Sequence, residues 1–164
     1  MNGFRGRVDV ENAIVSHADG NESFFVYGES MAASVSRANV EDLNPERRTS
    51  PADQISQRAV TLDSYCRQRD VWPDVVKIDV EGAEYRVLRG ARHLLSTRRP
   101  VILCEIHPRQ MENCGSSVAD VREYLGELGY RLEALDDPNT MGIFHAALVH
   151  ESPGWGAPRL LRGR

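Results

Sequence analysis

A chain of 164 residues, 41% hydrophobic and 27% charged, has the length and balance of one globular domain with a real core. Its net charge of -4 and pI near 5.7 argue against nucleic-acid or anionic-membrane partners. No apolar run approaches the length of a membrane span, no secretory leader is read, and Cys66, Cys104 and Cys114 form no CxxC spacing, so a cytoplasmic protein with reduced thiols is expected.

Arg7 to Ser16 reads as a strand, with Val8, Val10 and Ile14 alternating against Asp9 and Glu11. Ala18-Asp19-Gly20-Asn21 is a turn by composition, and Phe24 to Tyr27 a short second strand. From Gly28 to Arg58 no period is sustained, so 28–58 is expected to be one long loop, functional or mobile. Val60-Thr61-Leu62 reads as a brief strand, and Asp63 as the N-cap of a short helix through Arg69.

The centre of the chain is Val75 to Glu84. Val75 to Val80 is an apolar, β-branched run, expected as a strand buried on both faces of a parallel sheet. Asp79, Glu81, Gly82 and Glu84 follow within six residues, and then Ala83, Val87, Leu88, Ala91, Leu94 and Leu95 mark one face of a helix. Arg98-Arg99-Pro100 stops that helix, and Val101 to Ile106 forms a second buried strand that ends in His107. The pair makes a βαβ unit with parallel strands, so both strands end at one edge of the sheet. Asp79, Glu81, Glu84, Glu105 and His107 are thereby expected to converge on one crevice, where open α/β sheets bind ligands.

Ser116 or Ser117 caps a helix carrying Val118, Val121, Leu125 and Leu128, which Gly129 ends. Tyr130 to Leu135 and Ile143 to Val149 are the last strands, joined by a turn at Asp136-Asp137-Pro138-Asn139. Residues 1–150 are read as one domain and 151–164 as a disordered tail.

Val76-Lys-Ile-Asp-Val-Glu-Gly-Ala-Glu-Tyr-Arg-Val-Leu-Arg-Gly-Ala91 resembles the hallmark segment of the FkbM-type methyltransferase family. So do Val60-Thr-Leu-Asp63 before it and Pro100-Val-Ile-Leu-Cys-Glu-Ile-His107 after it, while Val10 to Ser16 looks like that family's third sheet strand. The resemblance implies an α/β class I, Rossmann-like fold with helices on both faces of a sheet ordered third, second, first, fourth, fifth, seventh, sixth. It implies S-adenosylmethionine as cofactor and a hydroxyl of a small molecule, sugar or polyketide as methyl acceptor.

The family's glycine loop and second-strand acid have no counterpart here, so the chain reads as lacking the first two strands. Three explanations fit: a start codon recorded inside a longer gene, a degenerate remnant, or a partner chain that pairs with the open edge of the fourth strand. The corresponding functions are a truncated O-methyltransferase, or a non-catalytic remnant or accessory protein that keeps the substrate-side half.

By this resemblance Asn12 and Ala13 lie where the cofactor's adenine approaches, and Asp79 lies near the transferred methyl. Asp79, Glu81 and His107 are the catalytic candidates, because a carboxylate or imidazole in a water-poor crevice can take the acceptor's proton. Glu84 and Glu105 are substrate-side candidates, although Glu84 also fits an exposed helix face and Glu105 a buried structural bond. Gly82 is read as a backbone requirement. His17, His93, His145 and His150 are too scattered for a metal set, and no metal is expected. A nucleotide triphosphatase is excluded by the missing GxxxxGK[ST] loop. A phosphate-receiver domain is excluded by the missing early acid pair.

Overall fold

The computed structural model describes residues 8–27, 33–43, 52–136 and 142–151. Arg7, parts of the 28–58 segment, the turn residues 137–139 and the tail from 152 lie outside the described residues. The elements run β1 (Ile14–Val15), β2 (Gly20–Val26), β3 (Ala33–Ser34), α1 (Arg37–Leu43), β4 (Asp53–Val60), α2 (Leu62–Arg69) and β5 (Val75–Ile78). They continue with α3 (Glu84–Arg89), α4 (Arg92–Thr97), β6 (Val101–Ile106), α5 (Pro108–Asn113), α6 (Val118–Glu127), β7 (Tyr130–Ala134) and β8 (Phe144–His150).

The strands form two four-stranded sheets, ordered β1-β4-β2-β3 and β5-β6-β8-β7, where a single sheet covered on both faces was expected. In the second sheet β5 and β6 are parallel, with Ile78 opposite Cys104, as the βαβ reading requires. β8 runs antiparallel to both β6 and β7. The main core packs Val87, Leu88, Leu95, Met111 and Leu125 of the helices against Ile78, Ile102, Ile106 and Leu148 of this sheet. These strand residues alternate in sequence, so they share one face. On the other face Leu103 and His145 are exposed, as is Val75 at 57%. The strand at Val75 is therefore not buried on both faces, because it is outermost in its sheet and one of its faces is uncovered.

Two boundaries move for identifiable reasons. The first strand shrinks to Ile14–Val15, since only these two residues find a partner, opposite Ala59 and Val60 of β4. Val10 is 91% exposed despite the alternating pattern. The expected loop at 28–58 contains β3, α1 and most of β4 among its described residues. β4 pairs with the whole of β2, from Gly20 opposite Ala59 to Val26 opposite Asp53. Its sequence, Asp-Gln-Ile-Ser-Gln-Arg-Ala-Val, hides this because only its last two residues are buried.

The helix expected to run from Ala83 onward is two helices, broken at Gly90-Ala91, yet every residue of its predicted apolar face is buried. Ser117 caps α6 with a full capping box through Asp120, and Gly129 follows the helix at φ 74°.

The N-cap of α2 is Thr61, whose hydroxyl accepts from the Ser64 amide, rather than Asp63. Asp63 caps a different helix: its carboxylate accepts the His93 and Leu94 amides at 2.7 and 2.8 Å, in the first turn of α4. These amides have no intrahelical partner, and a carboxylate also favours that end of the helix dipole. Asp63→Ala is expected to lower stability by about 1–2 kcal/mol in urea unfolding. A change within experimental error would remove this cap from the account. Among the described residues no helix is long and apolar enough to cross a membrane. Cys66, Cys104 and Cys114 are free thiols.

Candidate active site

The parallel pairing of β5 and β6 brings the ends of both strands together, and the chain after each turns into the site. After β5 the backbone makes two left-handed residues in succession, Glu81 at φ 49° and Gly82 at φ 98°. A side chain on Gly82 is excluded twice over: the φ favours glycine, and an added Cβ would lie 2.5 Å from the Gln110 carbonyl. For Glu81 this conformation is strained, and such strain persists only where the surroundings hold it. Here the buried Asn39 side chain donates from Nδ2 to the Glu81 carbonyl at 2.9 Å and to the Gln110 carbonyl at 3.1 Å. The Gly82 amide donates to Glu84 Oε1 at 3.0 Å. After β6, His107 stands at the N-cap position of α5 with Pro108 in its first turn.

The five groups gather at this edge, but not around one open crevice, because two of them are interior. His107 is 1% exposed, and Glu84 is 0% exposed. Nδ1 of His107 lies 2.7 Å from Glu84 Oε1; a carboxylate only accepts, so Nδ1 carries the proton. Nε2 faces Glu81 Oε2 at 3.5 Å and Glu105 Oε1 at 3.7 Å. Asp79 is exposed, and Lys77 Nζ lies 3.1 Å from its Oδ2 and 3.6 Å from Glu105 Oε2. His145 Nε2 approaches that same Glu105 oxygen at 3.5 Å. One ligand atom each from Asp79, Glu105 and His107 falls within 4.8 Å of the others.

Glu84 is thus not on a helix surface. It is the buried carboxylate that orients His107, and it has no exposed surface with which to meet a substrate. Burial pulls the His107 pKa down, but the Glu84 hydrogen bond and the charges of Glu84, Glu81 and Glu105 outweigh it and leave it raised. Burial raises the Glu81 pKa; His107 opposes this, and the carboxylates of Asp79, Glu105 and Glu84 add to it.

A cleft of about 570 Å³ opens beside these groups, between the strand-end turn and the first sheet. Asn12, Ala13, Ile14, Val15, Phe24, Ile55 and Gln57 wall one side, and Asp79, Val80 and Glu81 the other. Asn12 and Ala13 therefore share a cleft with Asp79 and Glu81, while His107 sits behind Glu81 rather than on the wall. Asn39 and Lys77 were missed. Asn39 falls in the segment read as loop, and Lys77 was read as one residue of an apolar strand. The strict alternation of a half-exposed strand, with Lys77 between Val76 and Ile78, was the available signal for the lysine.

A cleft at the carboxyl ends of parallel strands, with paired acids on its wall and a histidine behind them, is where a mixed α/β protein holds its ligand. The model of the methyltransferase FkbM domain matches residues 5–132, and the chain belongs to that family. No curated protein and no solved structure matches the chain. Methyltransferases generally use S-adenosylmethionine, and the residues around the cleft fit such a group. Ile14, Val15 and Phe24 provide apolar wall, and Asp79 provides negative charge for a cationic ligand.

Proposed function

We propose that this chain is part of an S-adenosylmethionine-dependent O-methyltransferase acting on a hydroxyl of a small molecule, sugar or polyketide. The observation that carries the reading is the single cleft shared by Asn12 and Ala13 with Asp79 and Glu81. The second sheet's order, β5-β6-β8-β7, supports the finer fold reading, since it repeats the fourth, fifth, seventh and sixth places of a class I sheet. The outer edge of β5 is then where a first strand would pair, from this gene product or from another chain. Three free thiols favour a reducing, cytoplasmic setting.

The cofactor supplies an electrophilic methyl group. The chain's own residues must orient the acceptor hydroxyl and take its proton. Glu81 is the base: it lines the cleft, and burial lifts its pKa above the ordinary carboxylate value, which makes it the stronger proton acceptor. His107 is a positioning residue, held by Glu84 and directing Nε2 toward Glu81. Asp79 sets the negative charge beside the reacting centre, and Asn12 and Ala13 form the cofactor-side wall. Glu105, half-buried beside Lys77, is the remaining substrate-side group.

The test is cofactor binding by calorimetry together with methyl transfer to a panel of hydroxyl acceptors. Glu81→Gln is expected to lower turnover by about a hundredfold or more while cofactor affinity holds. Asp79→Ala is expected to lower it by at least about tenfold. Full turnover in Glu81→Gln removes Glu81 as the base. Absence of cofactor binding by the native protein favours the non-catalytic reading.

A further inference from the structure

We propose that Asp79, Glu105 and His107 hold a divalent cation of the manganese or zinc class at the carboxyl edge of β5 and β6. The inference concerns ion binding and stands apart from the methyl-transfer reading.

The geometry of the donors comes first. One oxygen from each carboxylate and one ring nitrogen lie within 4.8 Å of one another. Bonds of roughly 2.0–2.2 Å put neighbouring ligands of one ion about 3–3.5 Å apart, so side-chain rotations that move the donor atoms by about an ångström close the set. The three donors come from the ends of two hydrogen-bonded parallel strands, which fixes their backbones relative to one another.

The state of the histidine is the second argument. Its Nδ1 proton is committed to Glu84. Nε2 is turned toward Glu81 and Glu105 at 3.5 and 3.7 Å, in contact range of both carboxylates and in a hydrogen bond with neither. Two anionic groups arranged around a ring nitrogen leave room for a cation between them. A carboxylate that orients a histidine from behind is also the usual support of a metal-ligating imidazole.

The third argument is charge. Asp79, Glu81, Glu84 and Glu105 contribute four carboxylates around His107 and Lys77, so even a charged imidazole leaves the group negative. A divalent ion balances it.

One imidazole with two carboxylates suits manganese, zinc or related ions better than calcium, which takes oxygen ligands. Lys77 competes for the same site, since its ammonium approaches Asp79 and Glu105. Half exposed, it is free to swing away when an ion enters.

The experiment titrates the metal-free full chain with Mn²⁺, reading free ion by electron paramagnetic resonance, and with Zn²⁺ by calorimetry. One ion per chain is expected. Asp79→Asn and Glu105→Gln, both with solvent-accessible side chains, should each weaken binding at least about tenfold, and Glu84→Gln by roughly 10–100-fold. Lys77→Met should tighten it, which a merely structural cluster would not do. Circular dichroism of each variant confirms its fold. The proposal is overturned if wild type and Lys77→Met both leave Mn²⁺ and Zn²⁺ unbound. It is equally overturned by binding that Asp79→Asn and Glu105→Gln leave unchanged. Because the readout is ion occupancy, its failure leaves the methyl-transfer reading where it stands.

Discussion

His107→Leu is expected to cost about 3–5 kcal/mol of folding stability, the cost of breaking a buried charged pair from one side. The substitution removes the 2.7 Å partner of Glu84 Oε1 and leaves a carboxylate with 0% exposure holding only the Gly82 amide. Neither escape from that position is cheap. Protonating the carboxyl weakens its bond to Gly82, and admitting water means opening the interior that buries Glu84 completely. Glu84→Leu should cost less, roughly 1–3 kcal/mol, because it strands two N–H donors, on the imidazole and on Gly82, rather than a charge. In the double variant the two losses should fall well short of additive, since removing both partners of a buried pair abolishes the desolvation penalty with the bond. Urea unfolding with matched m-values measures all four corners of this cycle. A loss under about 1 kcal/mol in His107→Leu would mean that the Glu84 charge is not held by the imidazole.

Gly90→Ala carries the second large effect, and its cause is different. Gly90 has φ -73° and ψ -3°, which any residue adopts, so conformational strain is not involved. The obstacle is space: a Cβ would sit 2.0 Å from the Ser16 carbonyl oxygen and 3.1 Å from its carbon. Both are backbone atoms and cannot rotate aside. The expected loss lies at or beyond the upper end of the roughly 1–3 kcal/mol typical of overpacking. The damage is directed, because Ser16 directly follows β1 and β1 carries Ile14 and Val15 into the cleft wall. Ligand binding in the cleft should therefore weaken along with stability. Gly126→Ala is the internal control: nothing lies within 4 Å of its added Cβ, and within α6 it should gain about 0.5–1 kcal/mol. Equal effects of the two variants on thermal unfolding would refute the close-approach account.

The parts of the fold legible in the sequence are those where one local rule decides. Alternation and apolar runs located β5, β6 and β8, the parallel βαβ rule placed Asp79, Glu81, Glu105 and His107 at one edge, and Gly82 was read correctly as a backbone requirement. The parts that were not legible depend on partners distant in sequence. β4 is a strand because β2 lies beside it along its whole length, while most of its own residues face solvent. Asp63 has the sequence of a local cap but serves a helix thirty residues on. Glu84 has helical spacing compatible with the surface, and only the position of His107, on another strand's end, shows it to be interior.

The buried amide of Asn39 touches the carbonyls of Glu81 and Gln110 and accepts from Asn113 Nδ2 at 2.9 Å. One small side chain in α1 thus splices three separate stretches of the polypeptide at the point where the backbone is most contorted. The ten-residue signature around Asp79 is consequently not portable. Grafted onto another parallel sheet it would carry its acids but not the brace that bends them into position. Its chemistry belongs to the whole arrangement, including a stretch whose own sequence gives no hint of it.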